Sequence, residues 1–148
     1  MKKKFPVKAE VTVYFSDCDP MNHCNNARFF TFFEYARMQY YKKLKALDLR
    51  KMNASSPFAF IVAEVSCTFR SPASIDETLV IKTCISEIKT KSFVMEYEVL
   101  EKKSRRPVAL GRSVQVMYNY KKKRSFPIPP HLRRKIEKLE GWFTQGIH

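Results

Sequence analysis

The run Tyr14-Phe15-Ser16-Asp17-Cys18-Asp19-Pro20-Met21-Asn22-His23-Cys24-Asn25-Asn26 gathers two carboxylates, a histidine, two cysteines and three asparagines. Some of the most apolar sequence in the chain follows at once, Phe29-Phe30-Thr31-Phe32-Phe33. Polar groups set against a core cost free energy unless they are paired or used. A helix that starts after such a loop presents free N–H groups and a partial positive charge, which can hold an oxyanion. A carboxylate a few residues before that helix can face a carbonyl polarised by the helix end, which suits ester or thioester hydrolysis. The same residues equally suit an ordinary Asp/Asn-rich loop, with Asp17 and Asp19 closing turns and His23 a hydrogen-bonded loop histidine. Composition alone leaves the two readings level.

The elements that must position this loop are legible in the hydrophobic periodicity. Phe29, Phe33, Ala36, Tyr40, Leu44 and Leu47 recur at steps of three and four, so the spacing predicts a largely enclosed helix over about residues 26–47. Asn25 or Asn26 is a suitable N-cap, because a side-chain oxygen there can accept an orphan backbone N–H. Glu34 and Arg37, three apart, are expected to pair on the helix surface.

Five segments alternate with the period of half-buried strands. Val7, Ala9, Val11, Val13 and Phe15 share one face of the first, and Ile61, Ala63, Val65, Cys67 and Phe69 one face of the second. The third, over residues 78–88, has apolar residues on both faces. Phe93, Met95, Tyr97 and Val99 mark the fourth, and the even positions Val108, Leu110, Val114, Val116, Tyr118 and Tyr120 mark the fifth. Pro127, Pro129 and Pro130 end the sheet, and a short basic helix over about residues 131–140 precedes a frayed tail. The order is strand, long helix, then four strands joined by short turns. An antiparallel sheet curled round one helix is the simplest way to bury that helix.

The 148 residues fit one domain, with a core over about residues 7–130. Lys and Arg total 28 against 14 Asp and Glu, a net charge of +14. A field of that sign draws anions and says little about fold. The aromatics, however, sit at core spacing and are not interleaved with Lys and Arg, which argues against nucleic acid as the partner. No stretch approaches the ~20 apolar residues that cross a bilayer, and the N-terminus lacks the apolar run of a signal peptide. Cys18, Cys24, Cys67 and Cys84 have no metal or redox spacing, and His23, His131 and His148 are dispersed, so no metal site is expected. Reduced thiols and a cytoplasmic setting follow from that pattern.

Asp17-Cys18-Asp19-Pro20, then His23-Cys24-Asn25-Asn26, then Phe30-Thr31-Phe32-Phe33-Glu34-Tyr35-Ala36-Arg37 resemble the signature of the 4-hydroxybenzoyl-CoA thioesterase family of hot-dog proteins. That family reads Asp-x-Asp-x-x-Gly-His-Val-Asn-Asn, then aromatic residues and Glu-x-x-Arg. The resemblance extends through Glu64-Val65, Lys91-Ser92-Phe93 and Pro127-Ile128-Pro129-Pro130, over roughly residues 7–135. It implies an α+β hot-dog fold and an acyl-CoA thioesterase. The family's catalytic carboxylate falls on Asp19, as nucleophile or general base, and its carbonyl-polarising N–H on Asn26. His23 and Asn25 match positions near the substrate, and Lys89 and Lys91 stand where resembling enzymes contact coenzyme A phosphates. Asn22 replaces the family's usual glycine in a loop that calls for positive φ, a conformation asparagine tolerates.

No cofactor is implied beyond the coenzyme A of the substrate. Resembling proteins pair their sheets into homodimers, often dimers of dimers, with the acyl pocket between subunits, and edge strands need such cover. A non-catalytic acyl-CoA-binding module is an alternative, because fold does not guarantee function. A hot-dog hydratase or dehydratase is another, but in its Asp-x-Asn-Pro-Leu-His pattern the His follows the Asp by five. Here His23 follows Asp19 by four, with no Asn-Pro between them.

Overall fold

The computed structural model describes residues 3–45 and 59–142. Its elements are β1 (Val7–Thr12), α1 (Arg28–Leu44), β2 (Ala59–Phe69), β3 (Thr78–Ile88), β4 (Ser92–Glu101), β5 (Pro107–Asn119), β6 (Arg124–Ser125) and α2 (Pro130–Glu140). All strand pairs are antiparallel, in the order β1-β3-β4-β5-β2, with β6 on the end of β5. Register shifts at Val62/Glu64, Ile85/Glu87 and Val99/Leu100 break the ladders. Such bulges bend and over-twist a sheet locally, and this one curls round α1. The α+β layout expected from the alternation is the one observed, and the expected position Leu47 lies outside the described residues.

The stripe Phe29, Phe33, Ala36, Tyr40 and Leu44 is buried throughout, joined by Phe32 and Tyr41. The β4 face Phe93, Met95, Tyr97 and Val99 meets it, with Phe33 stacked on Tyr97 at 4.5 Å between ring centroids. α1 ends at Lys45, whose left-handed φ of 55° closes the last turn onto the Lys42 carbonyl. α2 starts on Pro130 and stops at Gly141, the positions these residues favour. Leu132 and Ile136 bury its inner side, and the Glu140 carboxylate accepts from Tyr40 Oη (2.5 Å) and the Ile85 N–H (2.8 Å).

Four local expectations are corrected. In β5 the core-facing residues from Ala109 onward are the odd ones, Ala109, Ser113, Gln115 and Met117, while Leu110 is exposed. Opposite Phe33 the concave side beneath α1 has no room for a side chain: a Cβ on Gly111 would lie 2.4 Å from the Phe33 ring. Arg37 does not pair with Glu34 but turns inward, only 7% exposed, and donates to Tyr97 Oη at 3.2 Å. Tyr97 Oη in turn contacts Ser113 Oγ at 2.6 Å, where Gln115 Nε2 also donates. Phe15 leaves the β1 face for a 3₁₀ turn, Phe15–Asp17, and is exposed. The regular helix begins at Arg28, after Ala27, yet Asn25 caps the turn that leads into it, Oδ1 accepting the Ala27 N–H at 2.9 Å.

Candidate active site

Asp17 anchors the loop between β1 and α1. Its side chain is nearly enclosed, pairing with Arg28 Nε at 2.8 Å and accepting the Tyr14 N–H at 2.9 Å. Its carbonyl accepts the Asn25 N–H at 2.8 Å. The carboxylate thus fastens the entry of α1 to the end of β1 and is consumed in doing so.

Asp19 is differently placed. Its N–H donates to the His23 carbonyl and its carbonyl accepts the Asn22 N–H, both at 2.9 Å, which closes a tight turn. Asn22 at the corner has φ of 65°, the left-handed region where the family's glycine would sit without strain and asparagine sits with little. Asp19 Oδ1 accepts the Met21 N–H at 2.9 Å and the His23 N–H at 3.3 Å. Among the described residues Oδ2 has no hydrogen-bond partner. One oxygen therefore holds the turn and the other is available.

The start of α1 shows the same division. Donors at Asn25, Ala27, Arg28 and Phe29 are all paired, with Asp17, Asn25, Asn25 and Asn26 respectively. Among the described residues the Asn26 N–H has no acceptor. Asp19, His23 and Asn26 line one cleft of about 330 Å³, with Cys24, Phe29, Phe69, Arg70, Ser71, Pro72 and Ala73. Cys24 is not the nucleophile: burial, then Asp17, pushes its thiol up to about 12, so thiolate is negligible near neutral pH. The Asp19 carboxylate and the His23 side chain are the remaining groups in the cleft of a type that can take a proton.

The opposite wall comes from the far end of β2, which periodicity did not tie to the loop. The Cys24 N–H donates to the Ala73 carbonyl at 2.7 Å, and His23 bridges Ser74 in antiparallel fashion. Phe69 stacks edge-on against Phe29, centroids 5.3 Å apart. Arg106 clamps this wall through Ser71 Oγ (3.1 Å), the Pro72 carbonyl (3.0 Å) and a two-pronged pair with Glu77 (3.0 and 3.1 Å). The bound guanidinium holds the Glu77 carboxyl below its ordinary value. Sequence reasoning missed this whole wall, Arg70 and Ser71 being its polar side chains.

Asn25, expected beside the substrate, does not line the cleft, its side-chain oxygen being spent on the Ala27 N–H. Lys89 and Lys91 are exposed on the β3–β4 turn and also lie outside it; their backbones hold that turn through Ser92, Met117 and Arg133. Among the described residues no group of three His, Cys, Asp or Glu side chains could hold a metal ion.

A long buried helix wrapped by a curled antiparallel sheet, with a carboxylate and an open N–H where the helix begins, defines the hot-dog thioesterase class. The chain belongs to the Thioesterase-like superfamily, whose family model matches residues 13–136. It is 25% identical over 121 residues to the long-chain acyl-CoA thioesterase FadM of Escherichia coli, covering 82% of this chain and 89% of FadM. It is 28% identical over 96 residues to the acyl-CoA thioesterase YbgC of Haemophilus influenzae, covering 65% of this chain and 67% of YbgC. A thioesterase from Thermus thermophilus, solved with coenzyme A and Zn, superposes with a TM-score of 0.80 at 28% identity, covering 95% of this chain and 98% of that one.

Proposed function

We propose that this thioester hydrolase cleaves an acyl-CoA to the free acid and coenzyme A, with Asp19 as nucleophile or general base and the Asn26 N–H polarising the carbonyl. The carrying observation is the pair of unclaimed groups in one cleft, Asp19 Oδ2 and the Asn26 N–H. As the nucleophile adds, negative charge develops on the carbonyl oxygen, where a fixed donor stabilises it without reorganisation. If Asp19 attacks, the C–S bond breaks to give an acyl-aspartyl intermediate that water then hydrolyses. If water attacks, Asp19 takes its proton and later returns it to the departing thiolate. Both routes need only the carboxylate, the donor and water, so no cofactor beyond the substrate's own coenzyme A belongs to this reading.

Homodimeric or tetrameric assembly and a cytoplasmic setting complete it. β2 is a sheet edge with Val62 and Phe69 exposed, the kind of edge proteins cover by pairing, and sedimentation as a single chain at micromolar concentration contradicts it. Four free cysteines agree with a reducing compartment, and no helix among the described residues is long and apolar enough to cross a membrane. Lys89 and Lys91 remain candidates for the coenzyme A phosphates, which stand a pantetheine arm away from the cleft that these lysines do not line.

A complex with a non-hydrolysable acyl-CoA ketone, methylene in place of sulfur, tests the reading. The expected structure has the ketone oxygen within hydrogen-bond distance of the Asn26 N–H and the carbonyl carbon beside Asp19 Oδ2. A ketone bound away from both groups contradicts it.

A further inference from the structure

Arg70 follows directly on β2, and its backbone is fixed: its N–H and that of Ser71 both donate to the Val108 carbonyl, at 2.8 and 3.3 Å. Ser71 Oγ donates to the Pro107 carbonyl at 2.6 Å, and Arg106 clamps the residues that follow. The two arginines near this wall differ sharply. Arg106 is saturated by Glu77, Ser71 and Pro72. Arg70 is exposed, and its guanidinium has no hydrogen-bond acceptor or carboxylate partner among the described residues, although Asp19 lines the same cleft. Among those residues it is also the one Lys or Arg lining that cleft.

We infer that Arg70 is a specificity residue that receives a carboxylate carried by the acyl group, so that the site prefers half-thioesters of dicarboxylic acids. This rests on the thioesterase reading and extends it to the acyl part. A planar guanidinium fork matches a carboxylate or a phosphate in two-pronged fashion, and two considerations select the acyl carboxylate between them. The cleft is small, about 330 Å³, and the coenzyme A phosphates stand a whole pantetheine arm from the reacting carbon. The second is electrostatic: an acyl carboxylate entering beside Asp19 meets like charge, and Arg70 is the lining cation able to offset it. The aromatic wall of Phe29 and Phe69 suits the intervening methylenes.

The test compares adipoyl-CoA with hexanoyl-CoA, equal in length but differing in terminal charge, in the parent and in Arg70→Gln and Arg70→Lys. The same pairs are run as N-acetylcysteamine thioesters, which carry no phosphate. The expected result is that the parent prefers adipoyl and that Arg70→Gln lowers its kcat/KM for adipoyl by about 10- to 100-fold, the worth of a charged hydrogen bond. Hexanoyl turnover changes less than about threefold, Arg70→Lys recovers part of the loss, and the N-acetylcysteamine series repeats the pattern. Equal losses on adipoyl and hexanoyl, or a loss confined to the coenzyme A series, overturn the inference while leaving the thioesterase reading intact. Absence of turnover of every thioester defeats the thioesterase reading itself.

Discussion

Asp19→Asn is expected to lower kcat for thioester hydrolysis by about 10²- to 10⁴-fold while leaving the fold intact, the usual worth of a positioned base. The substitution separates the two jobs of the side chain. Its oxygen can still accept the Met21 and His23 N–H groups that Oδ1 holds in the parent, so the turn keeps its closure. What disappears is the carboxylate's negative charge and the second oxygen, the one without a hydrogen-bond partner among the described residues. Asp19→Ala removes both, so it is expected to lose activity to a similar degree and also stability, about 0.5–1.5 kcal/mol for the lost exposed hydrogen bonds of the turn. Thermal unfolding beside steady-state kinetics separates the cases. Activity within tenfold of the parent in a folded Asp19→Asn protein removes Asp19 from the chemistry.

Gly111→Ala is expected to destabilise by about 1–3 kcal/mol, the cost of overpacking a well-filled core. For a chain of this length that is a fall in Tm of roughly 2–12 °C. The added Cβ would lie 2.4 Å from Phe33 Cζ and 2.5 Å from Cε2. That ring is fully buried and stacked on Tyr97 at an interplanar angle of 15°, so it has nowhere to retreat. The clash is with one named side chain, so the cost is conditional on it. In a Phe33→Leu background Gly111→Ala should cost much less, and a double-mutant cycle reads the coupling directly. An equal cost in both backgrounds would place the origin of the effect elsewhere.

The parts of this molecule that were legible from sequence are those where one residue type repeats on one geometry. The α1 stripe and the β4 face were such cases, because a helix packed in a curled sheet buries large apolar side chains at its own period. β5 misled because both its faces carry an argument. Its even positions are the more apolar, yet the odd ones face α1, where Phe33 demands a glycine and Tyr97 a hydroxyl neighbour in Ser113. Side-chain volume and polarity set that face, and period-two counting sees neither. Arg37 escaped for a related reason. Spacing of three from Glu34 allows a surface pair, but the inward turn to Tyr97 is decided by a residue sixty positions away.

The candidate site divides along the same line. Asp19, His23 and Asn26 fall within eight residues, so one motif and one helix start revealed them together. Arg70 and Ser71 reach the cleft only through the contacts of Cys24 with Ala73 and His23 with Ser74. Those non-local pairings leave no trace in local spacing. A lone arginine at the end of a strand pattern reads as a solvated terminus, and Arg70 is indeed exposed; its place in the cleft's lining is what sets it apart.

The central claim is that this chain hydrolyses acyl-CoA thioesters, and release of free thiol from a panel of acyl-CoAs tests it most directly. The panel runs from acetyl through long-chain and aromatic to carboxyacyl groups, with the free acid quantified beside the thiol. Turnover of at least one member, yielding thiol and acid in equal amounts, is the predicted result. A folded protein that turns over none of them contradicts the account and leaves a site that binds acyl-CoA without cleaving it.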